Sequence, residues 1–143
     1  MEYQILYKYS KIELEQFAMF EENYSDKEPD VQFETEVQFS FDRDNNILCS
    51  KIIVTASQSD NLLFKAVMNS YFEIKDESVQ QLTQGKRIVF GPQLLVQFAS
   101  LCYGTLRGVI HLKTLGTSLN PYILPPVFFD SIIDKPFTAE IIL

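Results

Sequence analysis

Few side chains in this chain are of types that do covalent chemistry. There is one histidine, His111, and there are two cysteines, Cys49 and Cys102. His111 follows Cys102 by nine positions, which on a helix is half a revolution round, so they form no local nucleophile–base pair. His111 therefore reads as a polar helix-face residue. The cysteines sit at no metal or redox spacing and read as small buried hydrophobes. Asp42-Arg-Asp-Asn-Asn46 begins like a calcium loop, with oxygen ligands at alternate positions. Ile47 stands where the sharp turn needs glycine and Ile53 where the closing glutamate belongs, so the segment is a hairpin turn. Gly85-Lys86 matches the end of a phosphate loop, but Gln80 replaces its first glycine and Arg87 its hydroxyl residue. Glu34 and Glu36 alternate with apolar residues and belong to a solvated sheet face. No spacing supports an enzyme, a metal site or a cofactor.

The bulk properties narrow the classes further. The 143 residues carry 12 Lys and Arg against 19 Asp and Glu, a formal charge of −7. Nucleic-acid binding needs clustered cations to neutralise phosphates, so a nucleic-acid partner is not expected. Length suits one domain, 1–143, with a substantial core. The opening Met1-Glu-Tyr-Gln-Ile-Leu-Tyr-Lys8 has no basic segment followed by an apolar run, so no signal peptide is expected and the cytoplasm is the expected location. Residues Ile88 to Leu106 are uncharged between Arg87 and Arg107, nearly the length of a membrane span. Gly91-Pro92, Gln93, Gln97, Ser100 and Thr105 interrupt that run. It reads as a helix buried in protein, with no membrane insertion.

The elements follow from periodicity. Val31, Phe33, Thr35, Val37, Phe39 and Phe41 share one face, with Gln32, Glu34, Glu36, Gln38 and Ser40 on the other, the period of a half-buried strand. Residues 47–56 and 62–74 predict two more strands, making an antiparallel meander, and Tyr3 to Gln16 predicts a fourth. A short helix is predicted around Val79 and Leu82. Gly91-Pro92 opens a long helix, with proline tolerated in its first turn. Leu94, Leu95, Phe98, Leu101, Cys102 and Thr105 form its apolar stripe, continuing through Val109 and Leu112 to a stop near Gly116. Gly104 and Gly108 fall four apart, and glycine costs a helix up to about 1 kcal/mol against alanine, so close approach of another backbone is expected there. Phe128 to Ile133 predicts a short turn and Phe137 to Leu143 a final strand. The fold class is α+β: a four-stranded antiparallel sheet with a long helix on one face.

The unusual segment is the connector after that helix. Leu119-Asn-Pro-Tyr-Ile-Leu-Pro-Pro126 is uncharged and runs straight into Val127, Phe128 and Phe129. Connectors normally cross the surface and are polar. One this apolar must be covered by its own domain, by another subunit or by a ligand.

Three stretches together resemble the SecB family of protein-export chaperones and its SecB-like relatives. Tyr9-Ser-Lys-Ile-Glu-Leu-Glu15 is similar to the family's first strand. Ile53-Val-Thr-Ala-Ser57, Phe64-Lys-Ala-Val67 and Tyr71-Phe-Glu-Ile74 are similar to its central hairpin. Gln97-Phe-Ala-Ser100, Arg107-Gly108, the 119–126 connector and Phe129-Asp130 resemble its long helix and Pro-containing crossing, the most specific of the three. The resemblance implies a four-stranded antiparallel sheet with helices on one face, assembled as a dimer of dimers. It implies an ATP-independent holdase that binds unfolded or nascent polypeptide in apolar grooves between helix, sheet and connector. Leu94, Leu95, Phe98, Tyr122, Ile123, Leu124 and Phe128 are the expected groove lining, with Phe72 and Ile74 from the sheet.

Two departures bear on the partner. Where the family offers an acidic flat surface to its translocase motor, this chain reads Lys65-Ala-Val67, so the motor is a doubtful partner. Export chaperones carry a polar helical tail where this chain has Phe137-Thr-Ala-Glu-Ile-Ile-Leu143. Both lean toward a SecB-like chaperone outside the main export route, guarding a labile client such as an antitoxin. The rival reading is a structural subunit whose apolar helix and connector are consumed by its own oligomer. A small-molecule carrier ranks behind both.

Overall fold

The computed structural model of the protein describes residues 4–140. Four long strands, β1 (Tyr7–Met19), β2 (Gln32–Asp42), β3 (Ile47–Gln58) and β4 (Asn61–Ile74), form an antiparallel sheet in the order β1-β4-β3-β2. The β2–β3 hairpin closes at Asp42, whose carboxylate accepts from the Asp44 N–H at 3.1 Å and the Asn45 amide at 2.8 Å. Its oxygens cap the turn, and Asn46 takes the left-handed conformation (φ 56) that asparagine tolerates well.

Registry places one apolar row behind another. Phe64, Ala66, Met68, Ser70 and Phe72 of β4 face Ala56, Val54, Ile52, Ser50 and Leu48 of β3, with Ile74 continuing the β4 row, and the β3 residues face Phe33, Thr35, Val37, Phe39 and Phe41 of β2. β1 joins the same face, but two register shifts break its alternation, between Tyr9 and Lys11 and between Leu14 and Gln16. The residues opposite the β4 core row are therefore Tyr7, Tyr9, Ile12, Leu14, Phe17 and Met19. A strict period of two cannot read through those bulges, which is why β1 extends to Met19 rather than Gln16. The predicted start at Tyr3 lies outside the described residues.

The chain then builds the cover. Helix α1 (Asp76–Leu82) leads into a small hairpin, β5 (Thr83–Gln84) and β6 (Arg87–Phe90), and Pro92 opens α2 (Pro92–Lys113). α2 lies across β3 and β4. It carries Leu95, Phe98, Ala99, Cys102, Leu106 and Ile110 inward, all buried. Lys113 and His111 in its last turn complement the negative end of the helix dipole. The helix ends three residues before Gly116, capped at Thr114, whose hydroxyl donates to the Ile110 carbonyl at 3.0 Å. β7 (Phe137–Glu140) pairs with β6, so a second, three-stranded sheet closes the β2 side. Phe90 packs on Phe41 and Phe137 with ring centroids 5.1 and 6.0 Å apart. The hairpin escaped the sequence reading because β5 has only two residues and all of β6 after Arg87 lies in the uncharged run ahead of the helix. The predicted end of the last strand, 141–143, lies outside the described residues.

The centre of the interface is aromatic. Phe98 stacks on Phe72 at 4.4 Å, and Tyr7 meets both rings edge-on at 4.9 and 5.7 Å. Phe98→Ala is expected to lower unfolding stability by about 3–5 kcal/mol through lost burial and an unfilled cavity. Urea unfolding followed by circular dichroism measures it; a loss under 1 kcal/mol, on the order expected for a surface change, would remove Phe98 from the keystone position.

Candidate functional site

The residues expected to line a groove fall into two groups. Phe72, Ile74, Leu95, Phe98 and Leu124 are 0–3% exposed and form core. They face the sheet–helix interior because α2 is the long amphipathic helix available to cover the apolar sheet face. Nothing in solvent reaches them while that packing stands. The accessible members are Ile123 (59% exposed) and Phe128 (73%), with Leu94 and Tyr122 half-buried.

The connector explains the split. After Thr114 it turns back along α2 and inserts Leu119, Leu124 and Phe129, each 1–2% exposed. Between these anchors its main chain is held by side chains of the helix. Arg107 Nε donates to the Leu124 carbonyl at 3.0 Å, and the Tyr103 hydroxyl donates to the Pro125 carbonyl. The Tyr103 ring meets Phe129 edge-on at 5.6 Å. Burial raises the Tyr103 phenol pKa, with Arg107 opposing, so it stays a proton donor at neutral pH. Near its start, Ser118 donates its N–H and hydroxyl to Glu21 at 3.0 and 3.1 Å. Tyr122 and Tyr24 share a hydrogen bond of 2.7 Å. That bond, then desolvation and nearby Asp30 and Asp26, raise the Tyr122 phenol pKa. Each such bond nets about 0.5–1.5 kcal/mol, whereas burying a Leu or Phe is worth about 1.5–3 kcal/mol, so the three anchors dominate. The sequence reading did not single out Tyr103 and gave Arg107 no role at the site. The available signal was a lone cation in the apolar middle of the helix, one turn after a tyrosine.

Two apolar surfaces remain open. One runs along the connector, where Ile123, Phe128 and Ile132 are exposed, beside a cleft of 290 Å³ lined by Pro92, Gln93, Val96, Asp130 and Ile133. The other is the outer edge of α2. Leu101, Gly104, Gly108 and Leu112 recur there at helical spacing, all exposed and uncharged. A Cβ built on Gly104 or Gly108 meets nothing within 4 Å. The expected close backbone approach is therefore not made among the described residues. A third space, of 620 Å³, separates Gln4, Ile5, Leu6 and Tyr7 from Gln93, Leu94 and Gln97.

The reactive-type side chains stand apart from these surfaces. Cys102 is fully buried, its thiol donating to the Ser50 and Met68 carbonyls, and burial pushes its pKa up to about 11. Cys49, expected to be buried, is half-exposed on the outer sheet face. Its thiol pKa is also raised, chiefly by desolvation. Beside it Tyr71 donates to Glu13 at 3.1 Å. Among the described residues no cluster of His, Cys, Asp and Glu could hold a metal, and no helix is long and apolar enough to cross a membrane.

No protein-family model and no curated sequence matches the chain. A solved structure does. The SecB-like chaperone of Mycobacterium tuberculosis, in complex with a ChAD peptide from the HigA1 antitoxin, superposes with a TM-score of 0.56 over 85% of this chain and 90% of that one. The fold is SecB-like. Identity is 11%, so the likeness lies in architecture: the antiparallel four-stranded sheet with a long helix on one face.

Desolvation first, then the Cys49 and Glu13 charges, push the Tyr71 phenol up to about 12. A raised phenol pKa means the unfolded chain ionises first. Stability is therefore expected to decline as pH rises from about 10 through about 12. Tyr71→Phe should flatten that decline. Urea midpoints measured across the window check the sign, and an unchanged slope would show that Tyr71 ionises equally in both states. At neutral pH Phe128→Ser should shift stability by less than about 0.5 kcal/mol while Leu124→Ala costs about 2–5 kcal/mol, measured by the same unfolding experiment.

Proposed function

We propose that this chain is an ATP-independent holdase that binds unfolded polypeptide in the cytoplasm, acting as one SecB-like domain over 1–143. The observation that carries the reading is the exposure of three large apolar side chains on one irregular stretch, Ile123, Phe128 and Ile132, on a SecB-like fold that also has an apolar cleft lined by Val96 and Ile133. A soluble protein that leaves large apolar side chains on an irregular segment pays in aggregation risk unless something binds there. Unfolded chains offer matching chemistry, apolar side chains and free main chain, and capture by burial at about 25 cal/mol per Å² makes little sequence demand. The binding surface differs from the one the sequence implied: Phe128, Ile123 and half-buried Leu94 and Tyr122 stand at the surface, Ile132 joins them, and the core residues support from beneath. The solved SecB-like chaperone is bound to a peptide of an antitoxin, which supports a dedicated, labile client over general export.

The test is light scattering of a chemically unfolded, aggregation-prone protein diluted into this one without nucleotide. Suppression is expected from the wild type, and several-fold less from Phe128→Glu/Ile132→Glu, whose exposed positions leave the core intact. Equal suppression by a folded double variant would move the client site away from the connector.

The outer edge of α2 favours self-assembly as a companion property rather than a rival one. Its uncharged stripe, Leu101, Gly104, Gly108 and Leu112, suits helix-to-helix contact with a second copy, because glycine permits close approach. We propose a homo-oligomer, with the dimer of dimers as its expected form. Leu101→Glu/Leu112→Glu should lower the mass measured by sedimentation; a monomeric wild type would remove the assembly and with it the structural-subunit reading.

A further inference from the structure

We infer that the free edge of β2 docks β2 of a second copy, antiparallel, making one continuous sheet with four strands from each chain. The inference is independent of the holdase reading and adds a strand contact to the helix contact proposed from α2. Three observations carry it. The two outer edges of the large sheet are built differently. β1 carries two bulges, Lys8 and Lys11, devices by which natural sheets blunt an edge against pairing. β2 runs 11 residues in unbroken register against β3 and contains no Pro, Lys or Arg. Among the described residues no backbone–backbone hydrogen bond reaches its other side, so alternate N–H and C=O groups of β2 point outward unpaired. The core beside that edge is also unfinished. Every inward residue of β3 from Leu48 to Ala56 is fully buried, whereas the inward residues of β2 from Phe33 to Phe41 are each only half-buried.

The third observation says what covers the edge, because β2 is complementary to itself. Antiparallel pairing over the full strand is centred on Val37 and keeps both apolar rows on one face. Val37 then meets Val37 of the second copy, Thr35 meets Phe39, and Phe33 meets Phe41. On the outer face Glu36 meets Gln38 and Glu34 meets Ser40, so no carboxylate opposes another. Gln38 Nε2 already donates to Glu36 Oε1 at 3.1 Å within the single chain, the pair that the axis repeats between chains. Other registers lose this match. A slip of one residue sets apolar side chains on the polar face. A slip of two sets Glu36 against Glu36, or Glu34 against Asp42, according to its direction. Any extended chain finds the outward main chain, but only β2 finds this fit of face and charge. The contact is isologous and closes on itself. It consumes both regular edges and leaves the bulged β1 strands outermost.

The test separates this edge from that of α2. Sedimentation is run on the full chain and on Leu101→Glu/Leu112→Glu. The latter is also made with Gln38→Glu and with Glu36→Lys/Gln38→Glu, changes on the exposed outer face of β2. Each form is first checked for native circular dichroism. The α2 variant is expected to remain a dimer. Gln38→Glu sets carboxylate against carboxylate twice across the axis and should weaken that dimer several-fold. Glu36→Lys/Gln38→Glu sets lysine against glutamate and should restore it. Amide hydrogen exchange followed by NMR should show alternate residues of 32–42 gaining protection in the dimer and losing it on dilution. A monomeric α2 variant, or a dimer indifferent to both β2 changes with unprotected β2 amides, overturns the strand contact and leaves the holdase reading standing. Protection of β2 that arises only when a reduced, carboxymethylated protein is added also overturns it, giving the edge to a client strand.

Discussion

The structure depends on covering one apolar sheet face with too narrow a lid. Four strands about 4.8 Å apart present a face roughly 15 Å between its outer axes, and an α-helix with its side chains is only about 10–12 Å across. α2 lies over β3 and β4, so both flanks of the sheet need something else. On the β2 side the second sheet supplies Phe90 and Phe137 against Phe41 and Phe39. On the β1 side Tyr7 and Tyr9 lean toward the Phe72–Phe98 stack, and the Tyr9 hydroxyl reaches Ser70 and Thr105. Ile12, farther along β1, stays 54% exposed.

The same shortfall explains the connector. It lies along the far half of α2 and seats Leu119, Leu124 and Phe129, burying alternate parts of an apolar segment and leaving Ile123 and Phe128 outside. A single segment laid on a surface cannot bury every side chain against it, and the neighbours Ile123 and Leu124 end on opposite sides. An apolar strap of this composition therefore always leaves an apolar outer side. The protein's candidate binding surface is a direct result of how its core is closed.

Much of this was legible from periodicity. β2, β3 and β4 alternate cleanly, and the long helix shows an apolar stripe, although Leu101 and Leu112, read onto it, are exposed and Leu106 and Ile110, left off it, are buried. β1 was harder because its two bulges shift the apolar residues by one position each, and the β5–β6 hairpin is too short to show a period. The candidate site was legible only in part. Leu124 and Ile123 are adjacent and equally apolar, yet one is 2% exposed and the other 59%. No local rule separates them, because the difference is which side of the strap meets α2.

The sequence by itself determined the types of the long elements, the sheet face that must be buried and the presence of an uncharged connector needing cover. These are local properties, set by side-chain period, turn chemistry and composition. The tertiary structure alone decided that Phe72, Phe98 and Leu124 are core, that Phe128 and Ile132 are surface, and that Tyr103 and Arg107 grip the connector's carbonyls. Those outcomes depend on the packing of segments far apart in the chain, and burial is a property of the neighbour that arrives rather than of the residue that waits.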